Sequence, residues 1–299
     1  VHVGDKVSFV PTGFHTVNLP KKGGGPVPFL SPDGTATGLA DAAGASYWFN
    51  GQPTLGFTPA LVTKPGFGKS FTYNASKQVQ SGLPLSNKPK PMTVSFTKAG
   101  SFTYFCDLHP GMKGTVKVVA KSKKVPSAKG DAAALKAQLA RDKKIAVALG
   151  KDKPASGTVD VGSAGAYGVE VFAFFPRTVT VPTGTTLKFQ MSKSSYEAHT
   201  ATTGPGDPEK APTSFLGKLA ASFQAPSIDP AATYPSDPPP TPASLTPQSH
   251  GNGFWNSGVI DTDGKSPPPA ANAVTFTAPG TYEFYCLIHP FMHGTVKVQ

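Results

Sequence analysis

Apolar and polar residues alternate over short stretches along most of the chain. In Val7-Ser8-Phe9 and Leu187-Lys188-Phe189 every second position is apolar, the pattern of a strand with one buried and one wet face. The aromatic runs Phe102 to Phe105 and Tyr282 to Tyr285 follow the turns Ala99-Gly100 and Pro279-Gly280, where Gly and Pro punctuate the chain. Val169 to Phe175 predicts a further strand, followed by Pro176 and by Val179 to Val181. Short strands between Gly/Pro turns predict an all-β chain, an antiparallel sandwich or barrel. The stretch 131–149 departs from this pattern. Leu135, Leu139, Ile145 and Leu149 lie among alanines, with Asp131 placed to cap a helix and Gly150 to end it. It predicts one connecting helix, a spacer packed on a domain, with Lys151 to Gly157 as a flexible joint.

The pattern repeats. Residues 96–118 (FTKAGSFTYFCDLHPGMKGTVKV) align without a gap to 276–298 (FTAPGTYEFYCLIHPFMHGTVKV), about half the positions being identical. At the same offset, Gly4-Asp5-Lys6-Val7-Ser8-Phe9 matches Gly184-Thr185-Thr186-Leu187-Lys188-Phe189. Each is followed by a His-Thr pair, His15-Thr16 and His199-Thr200, and a weaker match sets Ser81-Gly82-Leu83 beside Ser257-Gly258-Val259. Self-similarity of this kind fixes a domain map: a first domain over 1–120, a helical linker over 121–157 and a second domain over 158–299. The first domain carries an insertion over about 20–78 and the second one over about 204–253. The first repeat begins at the position matching Val181, so it lacks the opening strand of its twin: either upstream residues are missing from this sequence or another segment fills the gap, and an unfilled sheet edge is a template for pairing with another chain. Tyr47, Trp48, Phe49, Phe57, Phe67, Phe71 and Tyr73 predict ordered packing of the first insertion. In the second, Thr213 to Phe223 predicts a short helix and Pro238 to Pro242 an extended, polyproline-like run.

Composition narrows the function classes. The 299 residues suit about two domains. Charged residues are 15% of the chain and the net charge is +11, which favours an anionic partner or envelope. The lysines are scattered, and the densest basic stretch, Lys117 to Lys153, has no aromatic platform for bases, which argues against nucleic acid as a partner. No apolar run approaches the length of a membrane helix. The opening Val-His-Val-Gly-Asp-Lys reads as a strand entering a turn rather than a signal peptide.

Both repeats end in Cys-x-x-His-x-x-Met: Cys106, His109 and Met112, then Cys286, His289 and Met292. One upstream histidine stands in each repeat, His15 and His199. A thiolate, two imidazoles and a thioether form the donor set of a blue-copper electron-transfer site. Thiolate and thioether suit copper(I), and imidazole suits both oxidation states. Pro110 and Pro290 follow the loop histidines and restrict the backbone there. Because all four donors recur in both repeats, a disulfide between Cys106 and Cys286 is the weaker reading.

Cys-x-x-His-Pro-x-Met, a following Gly and Val strand, and an upstream His-Thr resemble the cupredoxin family. The short gaps are most similar to its amicyanin branch; plastocyanin-type loops have a longer gap before Met. The resemblance covers 1–19, about 79–119, about 166–203 and about 254–299. It implies two tandem Greek-key β-sandwich domains, each with one type 1 copper ion, and one-electron transfer. The implied ligands are His15, Cys106, His109 and Met112, and His199, Cys286, His289 and Met292. It also implies that His109 and His289 present a ring edge to solvent within apolar patches of Pro110, Pro290 and Phe291. Gly111 stands where Phe291 does in the other repeat, so the patches differ in shape. Many members have Asn after the upstream histidine; Thr16 and Thr200 stand there in this chain.

These readings predict an extracytoplasmic electron carrier, periplasmic, secreted or at the cell surface, with redox-protein partners of anionic surface. One alternative is a multidomain copper oxidoreductase of the nitrite-reductase or oxidase kind. Its extra copper would need His2, His250 and His293 gathered between chains; Phe105, Asp107, Tyr285 and Leu287 flank the cysteines where such enzymes place histidine. Another is a cell-surface assembly whose insertions make subunit contacts and whose coppers relay charge; self-assembly through the incomplete sheet edge of the first domain is a separate expectation. Copper storage is disfavoured, because the chain has 4 Met, two of them in the proposed sites.

Overall fold

The computed structural model describes residues 1–109, 111–191, 197–261 and 272–299. Two compact units emerge, one of Val1–Ser31 with Phe57–Arg141 and one of Pro32–Gly56 with Asp142–Gln299.

In the first unit, strand Met92–Phe96 shows why the sequence folds as a sheet. Met92, Val94 and Phe96 are buried while Thr93 and Ser95 are half-buried, so every second residue enters the core. It pairs antiparallel with Lys6–Phe9 and parallel with Ser70–Tyr73. A second sheet runs in the order Val79–Gln80, Asn18–Leu19, Gly100–Phe105, Lys113–Val118. Tyr73, Phe96 and Phe102 pack together with ring centroids 5.4–5.7 Å apart. Full burial of such a ring stabilises by about 1.5–3 kcal/mol.

The second unit repeats the plan with more strands. One sheet has the order Glu170–Phe175, Thr158–Ala164, Thr186–Gln190, Ala273–Phe276, Ala243–Leu245. The other has Thr178–Val181, His293–Val298, Gly280–Tyr285, Thr202–Thr203, Trp255–Asn256. Phe174, Phe189, Trp255, Phe276 and Phe284 fill the core. The matched Gly4 and Gly184 have φ of 92° and 86°, a conformation that favours glycine. Their N–H groups donate to Phe96 O at 2.8 Å and Phe276 O at 2.7 Å.

The strand asymmetry expected between the repeats is visible in the pairing. In the second unit, Thr178–Val181 lies parallel to His293–Val298. In the first, only the contacts matching the end of that strand are made: Val119 donates to Val1 O at 3.0 Å and accepts from Val3 N at 2.9 Å, as Gln299 does with Val181 O at 3.0 Å and Thr183 N at 2.7 Å. The sequence reading missed Thr158–Ala164, because Asp160 and Gly162 interrupt its apolar pattern. It pairs parallel with Thr186–Gln190 and antiparallel with Glu170–Phe175, with a register shift between Val161 and Ser163.

The expected domain map is crossed by part of the first insertion. Residues 32–56 fold with the second unit, not within 1–120. Phe49 is fully buried and stacks between Tyr47, at 4.7 Å, and Tyr234, at 5.2 Å. Trp48 Nε1 donates to Pro235 O at 2.8 Å, and Tyr234 OH donates to Pro53 O at 2.7 Å. Strand Pro53–Phe57 pairs antiparallel with Ser227–Ile228. The aromatics predicted to order this insertion do so against partners remote in sequence.

The linker helix spans Ala128–Leu149. It begins before Asp131, because Ser127 Oγ accepts the Gly130 N–H at 3.2 Å and does the capping. Leu135 and Leu139 are exposed, so that half is not packed as expected. Ile145 and Leu149 are half-buried beside Gly165, where a Cβ would lie 2.9 Å from Ile145 Cγ2. The short helix is Phe215–Ser222, capped by Ser214. Pro238 to Pro242 turns at Pro239 and Pro240 and leads into Ala243–Leu245, rather than forming an extended run. Among the described residues no helix is long and apolar enough to cross a membrane.

His250 ties the insertions of the second unit together. Its Nδ1 lies 3.1 Å from Asp41 Oδ2 and its Nε2 3.6 Å from Asp237 Oδ2, with the Tyr47 ring 5.8 Å away. Asp237 foremost, with Asp41, raises the His250 pKa against the opposing effect of burial. Stability from this contact is therefore complete below the unfolded histidine value near 6.5 and is lost as pH rises through the higher folded value. The urea midpoint of the second unit should be higher at pH 6 than at pH 9. His250→Gln should lower the midpoint at pH 6 and shrink that difference; an unchanged difference would contradict the tie.

Candidate metal centres

Each ligand loop is the turn of a hairpin. Gly100–Phe105 pairs with Lys113–Val118, the last register pair being Phe105 with Lys113. Gly280–Tyr285 pairs with His293–Val298 and ends at Tyr285 with His293. The spacing Cys-x-x-His-x-x-Met is thus the length of the turn. Two backbone bonds close it: Cys106 N donates to Met112 O at 2.9 Å and Met112 N to His109 O at 2.8 Å. The second loop repeats them at 3.1 and 2.8 Å through Cys286, Met292 and His289. Pro110 lies outside the described residues.

The upstream His-Thr pair is bound to that turn. The Thr16 N–H donates to Cys106 Sγ, and the Thr200 N–H to Cys286 Sγ, both at 3.4 Å. The threonine hydroxyl accepts the N–H of the residue after each cysteine, Asp107 at 2.7 Å and Leu287 at 2.9 Å. A hydroxyl thus links the two segments in each unit. The weak Ser-Gly match is also accounted for. Ser81 Oγ accepts Val17 N at 2.8 Å and Ser257 Oγ accepts Ala201 N at 2.9 Å, which braces each histidine segment from its far side. Gly82 and Gly258 have φ of 66° and 71°, and a Cβ there would come within 2.9 Å of Leu61 O or 2.8 Å of Pro235 N.

Among the described residues, two groups of three donors converge: His15, Cys106 and His109, and His199, Cys286 and His289, with all donor atoms of a group within 4.8 Å of one another. In the first, Cys106 Sγ is 3.9 Å from His15 Nδ1 and 3.2 Å from His109 Nδ1, and the two Nδ1 atoms are 2.9 Å apart. In the second, Cys286 Sγ is 3.7 Å from both His199 Nδ1 and His289 Nδ1, which are 3.1 Å apart. Both cysteines are buried free thiols. Burial pushes the Cys106 thiol up, but His109 and His15 outweigh it and bring its pKa down to about 5. Burial acts likewise on Cys286, and His199 and His289 hold it well below the ordinary thiol value. A thiolate facing two imidazole nitrogens fits a soft, redox-active metal ion.

The fourth expected donors differ between the loops. Met292 is buried, 1% exposed, whereas Met112 is 48% exposed. His109 and His289 are half-buried, and Phe291 is 51% exposed beside His289, with ring centroids 6.0 Å apart.

Charges near the two centres also differ, through residues the sequence reading had not assigned a role. Asp107 is buried, and its carboxylate accepts from Val27 N at 2.7 Å, Asn18 Nδ2 and Gln80 Nε2 at 2.8 Å, and Thr16 Oγ1 at 3.3 Å. In the second unit the carboxylate is Glu170, with Oε1 3.9 Å from His199 Nε2. Phe172 covers the imidazoles, with centroids 4.5 Å from His289 and 5.2 Å from His199. Burial opposes the charged form of His199, but Cys286 and Glu170 raise its pKa to about 9. The interrupting Gly162 was the available signal, since a glycine inside a strand marks a bulge or a close approach. His2 and His250, two of the candidates for an extra copper, are engaged elsewhere. His2 Nε2 lies 2.8 Å from Lys123 O, and His250 lies between Asp41 and Asp237.

No protein-family model matches the chain, and no curated protein matches it. Matching solved structures are cupredoxins and a copper nitrite reductase. Oxidised plastocyanin from Dryopteris crassirhizoma is 22% identical, over 48% of this chain and 99% of that one, with a TM-score of 0.24. Auracyanin A, a blue copper protein from Chloroflexus aurantiacus, is 21% identical over 48% of this chain and 96% of that one, TM-score 0.27. A Cu-containing nitrite reductase from Thermus scotoductus is 14% identical over 100% of this chain and 58% of that one, TM-score 0.22. At these identities and TM-scores the likenesses carry nothing about chemistry, which rests on this chain's own donor atoms.

The low thiol pKa can be tested without metal. In metal-free Cys286→Ser protein, the ultraviolet absorbance of the Cys106 thiolate should vanish with a midpoint near pH 5 as pH falls. A midpoint above 8 would show that the imidazoles do not hold the thiolate.

Proposed function

We propose that the chain binds one copper ion in each unit and shuttles single electrons, as a two-centre electron carrier of cupredoxin type. The observation that carries this reading is the convergence of a thiolate and two imidazole nitrogens twice in one chain, on identically closed hairpin turns. His15, Cys106 and His109 would hold the first ion, with Met112 as a further donor. His199, Cys286 and His289 would hold the second, with Met292. Bound copper supplies a one-electron couple between copper(II) and copper(I). The chain's part is to keep the donors in place through both states. The N–H of Thr16 or Thr200 stabilises the thiolate, and backbone bonds fix the turn. Charge-assisted bonds of this sort are stronger than neutral ones.

Half-buried His109 and His289 offer an exit for the electron, and exposed Phe291 with Pro290 provides an apolar contact for a partner. Pro110, the counterpart of Pro290, belongs to the same proposal by sequence. The net charge of +11 favours a redox protein with an anionic surface. An extracytoplasmic setting, periplasmic, secreted or at the cell surface, suits this role. Engagement of His2 and His250 in other bonds favours a carrier over an enzyme with an additional catalytic copper. Assembly through the edge of the first unit belongs to the same proposal and would be read as a multimer by light scattering.

Loading with copper(II) should give two ions per chain and an intense visible band. Cys106→Ser and Cys286→Ser should each remove one ion's share of that band, and the double variant should be colourless. A colourless wild-type protein, or preference for zinc under oxidising conditions, would overturn the proposal. Met292→Leu should raise the potential of its centre while leaving the colour. Met112→Leu should raise its own centre's potential less, because that side chain is half exposed. Redox titration resolving two steps measures both.

A further inference from the structure

The hairpin Thr158–Ala164 with Glu170–Phe175 backs the second centre with a buried anion. Glu170 Oε1 stands 3.9 Å from His199 Nε2, and both side chains are nearly inaccessible, 6% and 0% exposed. The opposite ring nitrogen, Nδ1, faces Cys286 Sγ and His289 Nδ1. The strand leaves room for this arrangement at Gly162, whose φ is 94° and where the register shifts. A Cβ on Gly162 would lie 2.7 Å from His199 Nε2 and 3.7 Å from Glu170 Oε1. Imidazole edge and carboxylate therefore share one cleft that a side chain at 162 would fill.

The first centre is built otherwise. At the corresponding edge of His15 is the turn at Gly13, where a Cβ would lie 3.2 Å from His15 Nε2. Asp107, the buried acid of that unit, is occupied by four donors from Thr16, Asn18, Val27 and Gln80.

We propose that Glu170 is a positioning and potential-setting residue of the second centre, holding the His199 ring with Nδ1 turned toward Cys286 and favouring copper(II) over copper(I) there. The inference rests on the copper reading above. A fixed negative charge behind a ligand imidazole strengthens it as a donor and stabilises the more positive ion. The couple is one electron added to copper(II) to give copper(I), with no proton required, so the carboxylate acts through its charge.

The test uses the full chain loaded with copper and titrated with dithionite and ferricyanide. Glu170→Gln preserves shape and removes charge. It should shift the one-electron equilibrium of the second centre toward copper(I) by about tenfold, about 59 mV, with the first centre unmoved. Copper(II) affinity of that centre should fall by about the same factor while copper(I) affinity holds. Glu170→Asp should recover at least half of the shift. A change under twofold, an equal change at both centres, or loss of copper and colour from the second centre would overturn the proposal, the last by showing a purely structural role. Failure of wild-type protein to show two one-electron steps would instead overturn the copper reading itself.

Discussion

A buried thiolate needs donors, and this chain provides them from the backbone. Cys106 and Cys286 each lie at the start of a hairpin turn closed by their own N–H to a methionine carbonyl. Each sulfur also accepts an N–H from the threonine after the upstream histidine. That bond joins two segments about 90 residues apart and brings the upstream imidazole to the turn. The threonine hydroxyl and the Ser-Gly brace then lock the same segment from both sides. The sulfur contact is thus one of several bonds that hold the upstream histidine segment against the loop.

Such a frame bears on the proposed electron transfer. Donor positions set by backbone hydrogen bonds would not relax freely when the charge of a bound ion changed, so little reorganisation would accompany the electron. Pre-organisation of this sort places the cost in folding, where the sandwich core of each unit offsets it. The aromatic clusters around Phe96 and Phe284 are the rigid base from which the hairpins project.

The two centres share a frame and differ in setting. The first has a half-exposed methionine and a carboxylate saturated by four donors. The second has a buried methionine, an aromatic cover from Phe172 and Glu170 behind its buried histidine. Strands Thr158–Ala164 and Glu170–Phe175 supply most of that difference. The two halves of the sequence carry the same candidate donor set, and the additional hairpin makes the two environments unequal.

The ligand turn was legible in the primary structure because all of it is local. Cys-x-x-His-x-x-Met is a loop length, and alternation on either side marks the strands that flank it. The repeat made the upstream histidines legible too, by register. Tertiary contact alone decided the rest. Residues 32–56 joined the second unit because Phe49 and Trp48 found Tyr234 and Pro235 as partners, and no local pattern encodes a partner so remote. Glu170 reads as an ordinary strand residue until Gly162 lets its carboxylate close on His199. The exposure of Met112 and burial of Met292 follow from what packs over each loop, which identical spacing cannot report. Local spacing determines which atoms can converge; long-range packing determines the dielectric and the charges they meet.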